Sequence, residues 1–419
     1  MHRKSAQTAV TAAIVAIMLV SFGEAGLAAD PDEQNYSLIE HGRYLATLAD
    51  CTACHTKKDG SRPFAGGRPI ETPFGIIVSA NITPDLETGI GNWTDEEFDN
   101  AVRRGIRPDG SRLFPAMPYT AYTKMSRDDV KAIRAYLATL SPVHNSVVTN
   151  QLPFPLNMRA NMRIWDKLFF EAGEYESDPN KSSEWNRGAY LVMGPGHCGA
   201  CHTAKNIFGA DKKSEALQGG QVQGWFAPNI TNDDVRGVGA MSMDEIVALL
   251  KTGHNHVATV TGPMAEEVED SSSHFTDADL KAIATYLKSL PGSGAKETPL
   301  DQSDARMAAG KAIYRDTCSA CHGLDGNGVA NLFPALAKAP TVRSSDPTSA
   351  IRVLLRGARS VATKSEPTAP AMPSFGWQLK DDQLAAVLTF VRNSWGAAAA
   401  PVSPGQVAKQ RSALANRTD

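Results

Sequence analysis

Apolar and polar residues alternate in the same helical pattern three times along this chain of 419 residues. The three stretches are residues 126–140, 276–290 and 380–395. Apolar side chains recur in each at i, i+3, i+4 and i+7, which predicts an amphipathic helix. Ser126 and Thr276 are the first residues of the first two stretches, and Asp129 and Asp279 follow three residues later. Both residues are therefore expected to be N-caps.

A second helical stretch lies upstream of each amphipathic helix. In all three, a small residue or glycine precedes an aromatic side chain that can pack on the next helix or on a bound group. These stretches are residues 40–45, 186–191 and 309–314. A loop-rich region separates the two helices, and the first two loops share the phrase Asn-Ile-Thr, at 81–83 and 229–231. The pattern predicts a mostly α fold with three tandem helical units.

The N-terminal pattern predicts a signal peptide over residues 1–29. His2, Arg3 and Lys4 form a positive region that precedes an apolar run at 9–20. This run is shorter than the roughly 20 apolar residues that a membrane-spanning helix needs. Cleavage after Ala28 or Ala29 is therefore expected rather than a retained anchor helix, and export to a bacterial periplasm follows.

Connecting segments separate the three predicted units. The predicted divisions are a signal peptide (1–29), unit 1 (35–145), a linker (146–182), unit 2 (183–292), a second linker (293–303), unit 3 (304–396) and a tail (397–419). Residues 162–170 are too apolar for a free linker, so they either pack across units 1 and 2 or dock a partner subunit. The second linker reads as a hinge. The tail shows no strong periodicity; it is expected to be a frayed end, and a weak contact with a membrane or a partner is the alternative.

The formal net charge is only −3, which gives no reason to expect binding to nucleic acid. All six cysteines lie in three copies of the motif C-x-x-C-H. The copies are Cys51–His55, Cys198–His202 and Cys318–His322. This spacing is the signature of covalent haem c attachment.

The chemistry of the motif assigns each residue a role. The thiols of Cys51 and Cys54, Cys198 and Cys201, and Cys318 and Cys321 would bind the porphyrin, and His55, His202 and His322 would ligate the iron. Redox-active cysteine pairs or zinc half-sites are the alternatives. Neither explains why a histidine follows the second cysteine each time. The sequence therefore predicts three covalently bound haem c groups and no disulfides.

Each unit also contains a methionine downstream that can be the second axial ligand. The distances from the second cysteine to Met117, Met264 and Met372 are 63, 63 and 51 residues. Flanking prolines would fix the backbone around Met117 and Met372. His254 and His256 lie near Met264 and are the alternative ligands in unit 2. Methionine ligation raises the haem potential and fills the sixth position, which suits the transfer of single electrons.

Three haems in tandem favour an electron relay, but two other functions fit the motifs. A peroxidase-like haem enzyme would need one iron with an open sixth position, for which unit 2 is the candidate. A binding or scaffold module would use its haems only to stabilise the fold. The sequence shows no nucleophilic triad and no phosphate-binding loop that would indicate another enzyme class.

Longer phrases around the motifs resemble a known family. They are residues 81–85, 88–91, 115–119, 184–191 and 262–265, in addition to the three C-x-x-C-H motifs. Together they resemble the triheme cytochrome c subunit of bacterial membrane-bound dehydrogenases, of the gluconate 2-dehydrogenase and quinoprotein alcohol dehydrogenase type. The resemblance covers nearly the whole mature chain and implies three cytochrome c-like domains.

The resemblance also implies partners and a place in the cell. In that family, a catalytic subunit with flavin, pyrroloquinoline quinone or a molybdenum cofactor delivers electrons to the cytochrome subunit. The electrons then pass to ubiquinone or the respiratory chain. The implied location is the periplasmic face of the inner membrane, held peripherally. The haem cysteines and the axial ligands named above carry over from the family to this chain.

Overall fold

A computed structural model describes residues 31–59, 62–148, 150–292, 298–330, 332–415 and 417. Only the backbone is described for residues 31–35. The predicted signal peptide and residues 293–297 of the predicted second linker lie outside the described residues. The described chain is mostly helical, as the sequence predicts, and contains three short antiparallel hairpins.

The elements of the three units follow one plan. Unit 1 contains α1 (Pro31–Leu48), α2 (Cys51–His55), β1 (Pro69–Thr72), β2 (Gly75–Val78), α3 (Asp95–Arg104), α4 (Tyr119–Tyr122) and α5 (Arg127–Ala138). The linker contains α6 (Asn161–Phe169). Unit 2 contains α7 (Ser183–Met193), α8 (Gly199–His202), β3 (Gly220–Val222), β4 (Trp225–Ala227), α9 (Met243–Thr252), α10 (Pro263–Asp270) and α11 (Asp277–Ser289). Unit 3 contains α12 (Ala305–Thr317), α13 (Ser319–His322), α14 (Pro340–Arg343), α15 (Thr348–Arg356), β5 (Ala358–Arg359), β6 (Ala371–Met372) and α16 (Asp381–Arg392), and α17 (Pro404–Leu414) follows in the tail.

In every unit the first helix crosses the last at a glycine. A Cβ atom added to Gly42, Gly188 or Gly310 would lie only 1.8, 1.9 or 2.2 Å from a carbonyl oxygen of α5, α11 or α16. Real side-chain atoms do not approach so closely, so only glycine allows these crossings. The predicted amphipathic helices are confirmed as α5, α11 and α16. The side chains of Ser126 and Thr276 accept hydrogen bonds from the backbone N–H three residues on, as expected of N-caps.

The middle of each unit is more regular than the expected loop. Units 1 and 2 each contain a further helix there, α3 or α9, which begins with a reciprocal capping box formed by Thr94 and Glu97 or by Ser242 and Glu245. Both helices end at a glycine with positive φ, Gly105 at 61° or Gly253 at 80°.

The linker helix α6 packs across units 1 and 2. Trp165 donates from its Nε1 to the Phe208 carbonyl of unit 2 at 2.9 Å. Tyr119 of unit 1 donates to Asp166 at 2.7 Å, in a buried bond. Of the two interpretations of this apolar stretch, the structure therefore supports packing between units. Part of the helix remains exposed.

The expectation of a frayed tail is wrong for residues 404–414. They form α17, which Ser403 and Gln406 cap reciprocally, and which packs against the core of unit 3. Val407 and Leu414 are fully or almost fully buried, at 0% and 2% exposure. These two residues lie seven positions apart and so share one helix face, a signal too sparse to stand out as periodicity.

The described residues of the three units form two large cores and two small clusters. Buried residues of units 1 and 2 belong to one continuous hydrophobic cluster, which includes Leu45 and Ile133 of unit 1 with Leu191 and Leu280 of unit 2. Unit 3 has its own cluster, which the tail helix α17 completes. Within the described residues, no helix is long and apolar enough to cross a membrane.

Candidate haem sites

The three C-x-x-C-H motifs fold into a single helical turn that directly follows the first helix of its unit. These turns are α2, α8 and α13. A helical turn puts both cysteines and the histidine close together, and none of the six cysteines forms a disulfide. The structure thus places each predicted cysteine pair next to its predicted histidine.

Each motif histidine is held by one backbone carbonyl. The Nδ1 atoms of His55, His202 and His322 lie 2.7, 2.7 and 3.0 Å from the carbonyl oxygens of Ala80, Pro228 and Pro334 respectively. A carbonyl can only accept, so Nδ1 carries the proton and Nε2 keeps its lone pair. Histidine ligands of metals are typically oriented and tautomerised by such a bond.

Burial keeps these histidines neutral. It lowers the pKa of His55, His202 and His322 below the ordinary value of histidine, although the hydrogen bond to the carbonyl opposes this shift. A neutral imidazole with a free Nε2 is the form that ligates haem iron. The histidines therefore fit the role of axial ligand.

Five of the six cysteines do not resemble redox-active thiols. Burial raises the pKa of Cys51, Cys54 and Cys198 to about 12, and that of Cys201 and Cys318 to about 11. Redox-active cysteines and zinc ligands need a lowered pKa that favours the thiolate. Buried neutral thiols fit thiols that are consumed in thioether bonds to a haem.

The repeated phrase Asn-Ile-Thr positions the histidines of units 1 and 2. The side chain of Asn81 accepts hydrogen bonds from the backbone N–H and the hydroxyl of Thr83, and Asn229 accepts the same pair from Thr231. In each case the residue before the asparagine supplies the carbonyl that accepts from the histidine. The sequence repeat alone does not indicate this role. The available signal is its similar distance from the two motifs, 26 residues from His55 to Asn81 and 27 from His202 to Asn229.

The three predicted methionines lie in three different local structures. Met117 is in the turn before α4, Met264 is the second residue of α10, and Met372 is in β6. All three are partly buried against hydrophobic clusters. Their ligation of iron stays a prediction.

Loops with matching hydrogen bonds precede Met117 and Met264. Leu113 N–H donates to the Gly105 carbonyl, and Val260 N–H donates to the Gly253 carbonyl, both at 2.8 Å. Each methionine follows four residues after the donor. The structure thus places Met117 and Met264 at equivalent positions, which favours the same role for both.

The alternative ligands in unit 2 have other contacts. The Nδ1 atom of His256 lies 2.5 Å from Glu245 Oε1 and its side chain is 63% exposed. The backbone of His254 pairs with that of Thr259 in an isolated bridge, a contact that does not involve the imidazole. The carboxylate contact of His256 differs from the carbonyl bond that holds the motif histidines.

The motifs of units 1 and 2 face each other. The ring of His197, which precedes Cys198, packs edge-on against Tyr122 of unit 1 with 5.5 Å between centroids. Arg68 of unit 1 donates to the Ala53 carbonyl inside the first motif and, at 2.8 Å, to Glu266 of unit 2. The first two sites thus lie at the boundary that the shared core spans.

A helical unit whose C-x-x-C-H turn presents a neutral, carbonyl-bonded histidine defines a c-type cytochrome. The cytochrome c family model matches residues 39–141 and 307–395, which lie in units 1 and 3. Full-length relatives also cover unit 2. The chain is 39% identical to the gluconate 2-dehydrogenase cytochrome c subunit of Pantoea cypripedii, over 95% of this chain and 94% of the relative.

Two other relatives have related names. The chain is 40% identical to the alcohol dehydrogenase (quinone) cytochrome c subunit of Gluconobacter oxydans, over 92% of this chain and 83% of the relative. It is 37% identical to the fructose dehydrogenase cytochrome subunit of Gluconobacter japonicus, over 89% and 82%. The chain therefore belongs to the family of cytochrome c subunits of bacterial dehydrogenases. Its role is that of an electron-transfer subunit with covalently bound haem c, and its partner is a dehydrogenase catalytic subunit.

Proposed function

We propose that the chain binds three haem c groups and relays electrons from its catalytic partner to ubiquinone or the respiratory chain. The observation that carries the proposal is the threefold recurrence of a C-x-x-C-H turn whose histidine donates to a backbone carbonyl. When bound, each haem supplies a one-electron couple between ferrous and ferric iron.

The residues of the chain have distinct roles in this proposal. The cysteines would hold each haem, and His55, His202 and His322 would ligate the irons. Met117, Met264 and Met372 would be further ligands that raise the potentials. The carbonyls of Ala80, Pro228 and Pro334 fix the tautomer of the histidines, so that the ligand nitrogen does not need to lose a proton first.

The partner and the acceptor are proposed by analogy with the relatives. Their names include gluconate, alcohol and fructose dehydrogenases, and one of them names a quinone. We infer a catalytic subunit that carries flavin, pyrroloquinoline quinone or molybdenum and oxidises an alcohol, sugar, sugar acid or aldehyde. We further infer that the chain acts in the periplasm, on the outer face of the inner membrane.

Haem counting tests the proposal directly. We expect three haems per chain in the secreted protein and two in the double variant C198A/C201A, measured as covalent haem per polypeptide. All three haems of the wild type should be reduced when substrate is added together with the catalytic subunit, and a ubiquinone analogue should reoxidise them. Two haems in the wild type, or a haem that substrate never reduces, would contradict the relay.

The sixth ligand of unit 2 needs its own experiment. We expect M264A to lower one of three midpoint potentials, because the thioether favours ferrous iron. H254A and H256A are the matched variants and should leave all three potentials unchanged. A shifted potential in either histidine variant, with none in M264A, would assign the ligand to that histidine.

A further inference from the structure

The linker and a loop of unit 2 form an exposed apolar surface. The exposures are 79% for Phe154, 39% for Leu156, 45% for Met158, 65% for Ile164, 67% for Leu168, 84% for Ile207 and 58% for Phe208. We call these seven residues the linker patch. Singly exposed apolar residues are ordinary on a protein surface, whereas a group of large ones marks an interaction site.

Packing contacts tie the segments that carry the linker patch to one another. The rings of Phe169 in α6 and Phe208 in unit 2 stack with 5.8 Å between centroids. The turn that contains Phe154 and Met158 leads directly into α6, and Asn161 donates to the Pro155 carbonyl at 2.9 Å. The patch therefore rests on a folded support.

The helix α6 presents two different faces. Trp165 and Asp166 are buried against units 1 and 2. Ile164 and Leu168, one turn apart, point outward, and so do Arg163 and Lys167 beside them. An outward face of apolar and basic residues is typical of a helix that lies in a membrane interface.

Two basic side chains of α6 lie beside the linker patch. Arg163 and Lys167 form no ion pair among the residues that the structure describes, whereas the one acid of α6, Asp166, is buried and contacts Arg112 at 3.3 Å. Only positive charge therefore faces outward from this helix. An anionic lipid surface complements both features, because it offers phosphate charge above an apolar layer.

We propose that the linker patch docks the chain on the surface of an anionic phospholipid bilayer. The proposal rests on the proposed function, in which electrons reach a quinone dissolved in the membrane, and it names the residues that contact the lipid. Apolar side chains of the patch insert at the level of the headgroups, and Arg163 and Lys167 contact lipid phosphates. No covalent step is involved.

Vesicle binding of the haem-loaded full chain tests the proposal. We expect the wild type to float with vesicles that contain phosphatidylglycerol and to bind pure phosphatidylcholine vesicles much more weakly. The variant I164E/L168E should bind the anionic vesicles at least tenfold more weakly. The variant R163E/K167E should bind the anionic vesicles about fivefold more weakly for each basic residue that is replaced. Added salt should abolish this difference between the variant and the wild type. The matched controls are L86E and W377E, at surface positions of unit 1 and unit 3 that are 63% and 82% exposed, and both should bind like the wild type.

Electron transfer in the absence of vesicles separates this proposal from the proposed function. I164E/L168E should accept electrons from the catalytic subunit and reduce a soluble acceptor at the wild-type rate, whereas it should be slow with quinone embedded in vesicles. Wild-type levels of vesicle binding by this variant would overturn the docking surface. The docking surface would also be overturned if I164E/L168E no longer bound the catalytic subunit, since the patch would then be a protein interface. Failure of the wild type to accept electrons without vesicles would instead contradict the proposed function.

Discussion

The contacts between units 1 and 2 differ in kind from those between units 2 and 3. Units 1 and 2 share a core, and two tyrosine–aspartate bonds cross their boundary. Tyr44 of unit 1 donates to Asp279 of unit 2 at 2.7 Å, and Tyr190 of unit 2 donates to Asp129 of unit 1. Both tyrosines lie two residues after the crossing glycine, and both aspartates lie three after an N-cap. The interface is therefore reciprocal, as in a two-fold dimer of equal subunits.

Unit 3 meets unit 2 through a small apolar cluster of Val260, Val268 and Val361 and through a few polar contacts. Ser349 exchanges two hydrogen bonds with the backbone of Phe226, at 2.8 and 2.9 Å. The guanidinium of Arg352 lies 4.6 Å from the ring centroid of Trp225. At the tyrosine position unit 3 has Ala312, and at the aspartate position it has Gln383. The difference shows that two copies of a repeat can form a reciprocal pair, while a third copy attaches through a different interface.

The largest expected effect comes from the crossing glycines. G188A would place a Cβ 1.9 Å from the Ala282 carbonyl oxygen and push α7 away from α11. We expect the free energy of unfolding to fall by about 1–3 kcal/mol or more. Because units 1 and 2 share a core, hydrogen exchange should accelerate in both. G310A should act on unit 3 alone. The control is G405A, whose nearest neighbour atom would be 3.9 Å away. Faster exchange confined to unit 2 in G188A would show that the two cores are energetically separate.

The reciprocal tyrosines are expected to have the second largest effect. Y44F and Y190F each remove a hydroxyl donor from a carboxylate, with an expected loss of about 1.5 kcal/mol each. Denaturant unfolding of units 1 and 2 should show similar losses for both variants because the interface is reciprocal. Y36F, at a position 67% exposed, is the control. A clear loss of unfolding free energy in one variant and none in the other would show that the interface is not energetically reciprocal.

Local patterns in the sequence predicted much of the fold and of the haem sites. The closing helices follow from apolar spacing, and the cysteines and histidines follow from a five-residue motif. The helices α3 and α9 were not expected, although their capping boxes, Thr94 with Glu97 and Ser242 with Glu245, are local signals that could have revealed them.

Contacts between distant residues could not be predicted in this way. Tyr44 and Asp279 are 235 positions apart, and the sequence assigns Asp279 only to the cap of its own helix. The carbonyls that accept hydrogen bonds from the motif histidines are backbone groups, so no particular side chain in the sequence marks them. The tail helix α17 depends on two apolar residues whose partners lie in unit 3. Each of these features is fixed by tertiary packing, which no single segment encodes.

Acid should weaken the pairing of units 1 and 2. Although burial raises the pKa of Asp279, the bonds from Arg187 and Tyr44 lower it more, so that it lies below the ordinary value of 3.8. A folded pKa below the unfolded one stabilises the protein above the unfolded pKa, and this contribution is lost as the pH falls through the folded pKa. Unfolding of D279N should therefore depend less on pH below about 4 than that of the wild type. D382N, at an exposed position of unit 3, is the control, and equal slopes for D279N and the wild type would exclude this contribution.

The smallest expected effect lies at the boundary of units 2 and 3. S349A leaves the N–H and the carbonyl of Phe226 without their side-chain partner, at a cost of about 1 kcal/mol. Amide exchange should accelerate locally, in β4 and α15, while the shared core of units 1 and 2 keeps its protection. S412A, an exposed serine of α17, is the matched control. If S349A instead accelerated exchange throughout α5 and α7, unit 3 would support the first two units cooperatively. In that case the separation into a pair and an attached third unit would not describe the energetics of the chain.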